Sequence, residues 1–358
     1  MGPGQAYASP SAAAAVALSG DVVKIAAGDY HGDVAIWSAD NLTICGVGGR
    51  ARLFADGNSA LGQAIWVVYG SNVTVDNLEF HDAAVPDSNG AGIRAAGGDL
   101  TVRNSAFFDN QEGILSGNSG TYNVLIERCE FGHNGDGSDQ THNIYIGVAN
   151  SLTVTDSFFH GAMSGHNLKS RAKVSHIENS YFMDGPDGNS SYLADFSNGG
   201  AVYLRGNLFQ KSPLTENYVA IAFAAEGFKW SSNTLEMVHN TIVDYRSGGY
   251  FLSAPATTQS IKLTANILAG TDSPGLVVGG FSSSSVVQGD NVITQASNFN
   301  GADNLTIPNF WPNAALASQA LLADVPDATY LNDAPEPLTL RSIPTSGPRR
   351  AGALQAAR

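Results

Sequence analysis

The chain has 358 residues, 43% of them apolar and only 14% charged, with 40 glycines and a formal net charge of −14. That balance argues against nucleic acid or an anionic membrane as partner, because nothing in it would release counterions from phosphates. A polyanionic sugar stays open, since a local cationic groove or a bound metal overrides the global sign. There is also no apolar run of the ~18 residues needed to span a membrane.

In chain order, Met1-Gly2-Pro3-Gly4 has neither a basic nor an apolar leader region and reads as a scar ahead of a mature domain. A secreted or periplasmic location is therefore inferred rather than read. Ser9, Pro10, the run Ser11 to Leu18 and Gly20 supply an N-cap, a first-turn proline and a terminal glycine. They predict a short helix that caps the stack ahead of the strand Val22-Val23-Lys24-Ile25. Residues 1–20 are thus expected to be scar and cap, residues 21–295 repeats, and residues 296–358 a wrapping tail that includes Pro308 to Pro312 and Pro344 to Pro348.

Between them a motif returns about every twenty-five residues: a turn residue, usually Asn or Asp, then bulky apolar positions. It runs through Asn77-Leu78-Glu79-Phe80, Asn104-Ser105-Ala106-Phe107, Arg128-Cys129-Glu130-Phe131, Asp156-Ser157-Phe158-Phe159 and Asn179-Ser180-Tyr181-Phe182. It continues as Gly206-Asn207-Leu208-Phe209, His239-Asn240-Thr241-Ile242, Ala265-Asn266-Ile267-Leu268 and Asp290-Asn291-Val292-Ile293. Alternating runs such as Val73-Thr74-Val75 and Leu100-Thr101-Val102 precede most copies and read as half-buried strands. Short strands, Gly/Asn/Asp/Ser turns and no helical period select an all-β, right-handed parallel β-helix, in which each coil buries its apolar face only by stacking. Asn77, Asn104, Asn179, Asn207, Asn240, Asn266 and Asn291 are expected at turns. The longest unit implies an inserted loop around Pro213 to Tyr218, and Cys45 and Cys129 are expected as buried free thiols.

Polar chemistry concentrates midway. His133, His142, His160, His166 and His176 fall within 44 residues, with Lys169, Arg171 and Lys173 in the same stretch. Aligning Thr141-His142-Asn143-Ile144-Tyr145-Ile146 with Gly165-His166-Asn167-Leu168-Lys169-Ser170-Arg171 sends Tyr145, Lys169 and Arg171 outward when Ile144 and Leu168 point in. Tyr145 and Lys169 then stack on neighbouring coils, with His142 and His166 at the edge of that face. Asn143, Asn167, Asp195, Asn198 and Glu226 are candidates for substrate binding. Such a column suits β-elimination from a uronate polysaccharide: Lys169, crowded by Arg171 and Lys173, as base, Arg171 or a histidine to neutralise the carboxylate, and Tyr145 as acid. A metal such as Ca²⁺ held by Asp139, Asp195 or Glu226 is the alternative neutraliser.

The strings Asn41 to Ile44, Gly46 to Ala51, Asn89 to Arg94, His142 to Gly147, Lys169 to Ala172, Ser197 to Gly200 and Glu226-Gly227 resemble secreted bacterial β-helix proteins of the pectin-lyase-like superfamily. Lys169-Ser170 is similar to the Lys-Ser motif of alginate-lyase-like family six polysaccharide lyases, whose lysine is the base. That family has an arginine on the next turn, where this chain has Leu193-Ala194-Asp195-Phe196; Arg171 is the substitute for that role. Asp139-Gln140-Thr141-His142 is similar to the Asp-Pro-His-Asp motif of mannuronan C5-epimerases, with one Asp and the His in common. The expectation is a monomeric carbohydrate-active enzyme acting on a polysaccharide, foremost a lyase. The alternatives are an inverting glycoside hydrolase with Asp195 and Glu226 as its carboxylate pair, and a non-catalytic glycan-binding or adhesion solenoid.

Overall fold

A computed structural model describes residues 1–2, 4–279, 286–306, 308–317, 321–322, 330–333, 336–342 and 349–354. The chain is a parallel β-solenoid that divides into two compact units, Met1–Leu152 with Ala162–Ala172, and Thr153–Gly161 with Lys173–Arg358. The stretch Pro344 to Pro348, expected as part of the wrapping tail, lies outside the described residues.

In the first unit one sheet stacks Ala35–Trp37, Ala64–Val68, Ala91–Ala95, Glu112–Ser116, Ile144–Ile146 and Lys169–Ser170 in parallel. The remaining faces pair Val22–His31 with Thr43–Phe54, then Val73–Asp76 with Leu100–Arg103 and Leu78–His81 with Ala106–Phe108. Burial alternates along these strands, as period two requires. The interior is a stack of like upon like: Phe80, Phe107 and Phe131 lie face to face with centroids 5.0 and 4.8 Å apart.

The second unit repeats this plan. Ala194–Phe196, Val219–Phe223, Tyr250–Ser253 and Gly275–Val278 form one parallel sheet. Phe159, Phe182 and Phe209 stack at 4.8 Å intervals inside it. Phe310 and Trp311 from the strand Asn309–Pro312, with Ala351, Ala353 and Leu354, bury Tyr181, Leu208, Tyr245 and Ile267.

The repeat motif resolves into two kinds of residue. Its first position is left-handed in every coil, with φ between 49° and 67° at Asn77, Asn104, Arg128, Asp156, Asn179, Gly206, His239, Ala265 and Asp290. Asn and Asp suit that bend because their short polar side chains tolerate it. Asn207, Asn240, Asn266 and Asn291, expected at turns, instead follow the bend and point inward. The Nδ2–H of Asn207, Asn240 and Asn266 each donates to the next Oδ1, at 2.9, 3.0 and 2.8 Å. Each Oδ1 also takes the backbone N–H one coil back, so the ladder satisfies groups that no strand reaches.

Three further expectations change. The N-terminal helix is one turn, Pro10–Ala14, capped by Ser9, because Val16 and Leu18 beyond it are exposed and give it no apolar face to bury. Cys129 is buried but Cys45 only half-buried; both are free. The insertion is split between residues 212–218 and a longer segment, 224–233. The former is anchored from beneath by the wholly buried Lys211, whose Nζ donates to Ser191 O at 2.9 Å and approaches Thr215 Oγ1 at 3.4 Å.

Asn240→Ala is expected to leave the Asn207 N–H without its acceptor, costing about 1–3 kcal/mol. Urea denaturation measures it; a loss within ~0.5 kcal/mol, typical of a surface change, would remove the ladder from the stability account.

Candidate functional site

The first unit carries two outward columns on the face formed by its six-strand sheet. One is Val67, Arg94, Leu115, Tyr145 and Lys169, joined by register through Val67↔Arg94, Arg94↔Leu115, Leu115↔Tyr145 and Tyr145↔Lys169. The other begins with the paired residues Ala64, Ala91 and Glu112 and continues with His142 and His166. Ala64, Val67, Ala91 and Leu115 pack into an apolar floor that Tyr145 adjoins. The columns thus change from apolar to titratable along the stack.

At the titratable end the expected stacking is observed. Lys169 Nζ lies 5.3 Å and Arg171 Cζ 5.0 Å from the Tyr145 ring centroid, so two cations meet the π-faces of one phenol. The Arg171 N–H donates to Ile146 O at 2.9 Å, which sets its coil against the previous one. His142 packs edge-on to Tyr145 at 5.5 Å and stacks on His166 at 4.6 Å. The backbone N–H of His166 donates to His142 Nδ1 at 3.0 Å, so that nitrogen carries no proton and a neutral ring bears its proton on Nε2. This contact needs Gly165: a Cβ there would stand 1.6 Å from Thr141 O and 2.8 Å from His142 Nδ1.

The histidines are more enclosed than expected, His142 being 1% and His166 7% exposed. Burial, with the charges of His166, Lys169 and Arg171, pushes the His142 pKa well down. A neutral His142 carries no charge with which to neutralise a carboxylate. The coil before it is held by Asp136, whose Oδ1 accepts the Thr141 hydroxyl and the Ser138 N–H, both at 3.0 Å. Despite partial desolvation, hydrogen bonds from Ser138, Ser88 and Thr141 hold the Asp136 carboxyl down to about 2.

Asn143 and Asn167 do not reach this face. Both are fully buried. Asn143 Nδ2 donates to Asn167 Oδ1 at 2.8 Å, and Asn143 Oδ1 accepts from Asn134 Nδ2 at 2.8 Å, which in turn supports Asn110. The alternation that would turn them outward fails because Asn143 and Ile144 are both interior. The equivalent residue one coil earlier is Gly113, whose Cβ would strike Asn143 O at 2.3 Å. They are ladder residues rather than substrate ligands.

Asp195, Asn198 and Glu226 belong to the second unit. Asp195 and Asn198 are 2% and 4% exposed, so a substrate does not reach them. Asp195 Oδ2 accepts the Ser197 hydroxyl at 2.5 Å, and Asn198 O accepts the Lys229 N–H at 3.0 Å. Glu226 is exposed, as is Asp139 in the first unit. Among the described residues no group of three or more His, Cys, Asp or Glu is placed to hold a metal ion.

Glu112 was missed from the sequence. It is 1% exposed, and its Oε2 accepts the His142 N–H at 3.1 Å. Burial pushes its pKa well up, opposed by that hydrogen bond and by the charges of Lys169 and Arg94. The signal was present: Ala91-Gly92-Ile93-Arg94, Glu112-Gly113-Ile114-Leu115 and His142-Asn143-Ile144-Tyr145 share one apolar position and one outward position beside it.

A family profile described as right handed beta helix region matches residues 37–182. Among solved structures, the chain is similar to the pectate lyase Pel9A with a TM-score of 0.61 and 14% identity, covering 97% of this chain and 90% of that one. At that identity the likeness shows the fold alone, a right-handed parallel β-helix. ORF18 of Geobacillus virus E2 aligns with a TM-score of 0.45 and 13% identity over 79% of this chain and 56% of that one. No curated protein matches the sequence.

Glu112→Gln keeps an acceptor for the His142 N–H, whereas Glu112→Ala orphans it at a cost of about 1–3 kcal/mol. A carboxyl whose folded pKa is raised contributes stability that is fully present below the unfolded value of ~4.3 and lost as pH rises through the folded one. The wild type should therefore lose stability relative to Glu112→Gln as pH rises from ~4.3. Denaturation midpoints across pH measure this; parallel curves would show that Glu112 is not a desolvated acid.

Proposed function

We propose that the chain is a carbohydrate-active enzyme, a polysaccharide lyase that cleaves a uronate polymer by β-elimination at the Tyr145–Lys169–Arg171 face. The supporting observation is the juxtaposition of both cations on the Tyr145 ring, beside the buried apolar cluster that Tyr145 adjoins. Similarity of the fold to a protein titled pectate lyase supports the same reading.

In this mechanism the Arg171 guanidinium pairs with the sugar carboxylate and stabilises the charge that develops when the C5 proton leaves. Lys169 Nζ, as the free amine, takes that proton. The C5 electron pair forms the C4=C5 double bond, the C4–O bond breaks, and the leaving oxygen takes a proton from the Tyr145 hydroxyl. His142 and His166 touch one another and His142 touches Tyr145, so they position the phenol rather than react. A secreted or periplasmic setting is where such a polymer would be met. The hydrolase alternative loses ground because Asp195 is enclosed.

The test is incubation with polygalacturonate and alginate while absorbance of the unsaturated product is followed. Lys169→Ala and Arg171→Ala should each lower kcat/KM by at least ~100-fold, with Tyr145→Phe lowering kcat chiefly. New reducing ends without the chromophore would point to hydrolysis, and undiminished turnover in Lys169→Ala would remove the lysine from the reaction.

A further inference from the structure

The outward column that carries Tyr145 and Lys169 holds one more cation. Arg94 stands in register with Leu115, which is in register with Tyr145, which is in register with Lys169. Three coil-to-coil steps of ~4.8 Å set Arg94 roughly 14 Å from Lys169 at the backbone, along the direction of stacking. Four other arginines have acidic partners: Arg50 with Glu79, Arg52 with Asp29, Arg128 with Glu127 and Arg205 with Glu236. Arg94 is half-buried, and among the described residues its guanidinium makes no hydrogen bond or ion pair. Its neighbours in the column are the apolar Val67 and Leu115.

The carboxyl nearest to it in charge is that of Glu112, which is 1% exposed and engaged by the His142 backbone N–H. Burial favours the neutral form of that acid. An arginine fork without an acidic partner, at the edge of an apolar floor, suits a planar carboxylate from outside.

We propose that Arg94 is a distal carboxylate subsite, which binds a second uronate of the same polymer lying parallel to the stacking direction of the first unit. This rests on the reading that the Tyr145–Lys169–Arg171 face binds uronates. A chain so laid spans from Arg171 and Lys169 past Tyr145 to Arg94, with Leu115 buried beneath it, so the site selects for length and for charge at two separated sugars. Short oligomers reach one end only.

Titration calorimetry of the wild type and of Arg94→Ala with oligogalacturonates and oligomannuronates, from dimer to hexamer, tests this, with absorbance read on the same samples. The wild type should show a step of about tenfold in affinity once the oligomer is long enough to bridge both cation groups. In Arg94→Ala that step should vanish, and Arg94→Lys, which keeps a charge but not the fork, should restore part of it. A wild-type affinity that rises without a step, or an Arg94→Ala loss equal at all lengths, overturns the subsite. Should Arg94→Ala fail to fold, the length series on the wild type and Arg94→Lys decides alone. Stepped binding without absorbance change sinks the lyase reading and leaves the subsite standing; no binding of any uronate sinks both.

Discussion

Parallel pairing in register between successive coils is the constraint on which everything else depends. Each coil lies ~4.8 Å from the next, and its residues sit above their equivalents, so any side chain must be compatible with one of its own kind above and below. Aromatic rings meet that condition by stacking, as Phe80, Phe107 and Phe131 do. Asparagine meets it differently: an amide is both donor and acceptor, so Asn110, Asn134, Asn143 and Asn167 hand hydrogen bonds along the column and tie down backbone at corners the strands leave. A buried amide with no neighbour of its kind would be costly, which is why these residues come in runs.

The same rule builds the candidate site. A column is a position of the repeat followed through the stack, and changing its residue type changes the chemistry of one wall at one height. Ala64 and Ala91 give way to Glu112, and His142 and His166 follow. Beside them Val67 gives way to Arg94, then to Leu115, Tyr145 and Lys169. No loop has to fold over to bring these groups together. Their mutual placement is inherited from backbone pairing, which provides pre-organisation of the kind that charge stabilisation requires.

This explains which parts were legible in the sequence. The period and the turn residues announce stacked strands, and aligning two coils places Tyr145 over Lys169 and His142 over His166. Strict alternation misplaces Asn143 and Asn167, because the chain bends at that position and buries two consecutive residues. It likewise hides the difference between Asn179, which makes a left-handed bend, and Asn207, which follows one and points inward. Glu112 and Arg94 escaped notice because the alignment covered only the histidine coils. An acidic residue in a chain with 32 of them draws no attention until its register is known.

The electrostatics of the face then follow from what burial permits. The rings of His142 and His166 lie 4.6 Å apart, where two unit charges at an effective dielectric of ~20 repel by about 3–4 kcal/mol. Desolvation adds to that, so the pair does not hold two protons. Glu112, enclosed on the neighbouring coil, is driven the opposite way, toward its neutral form. Both effects remove charge from the buried column, beside which stand the basic side chains of Arg94, Lys169 and Arg171. In a chain with a net charge of −14, burial thus disfavours the ionised form of the one acid in this column, Glu112. Had Glu112 stood one column outward, in water, it would ionise and compete with any incoming carboxylate for the same guanidinium.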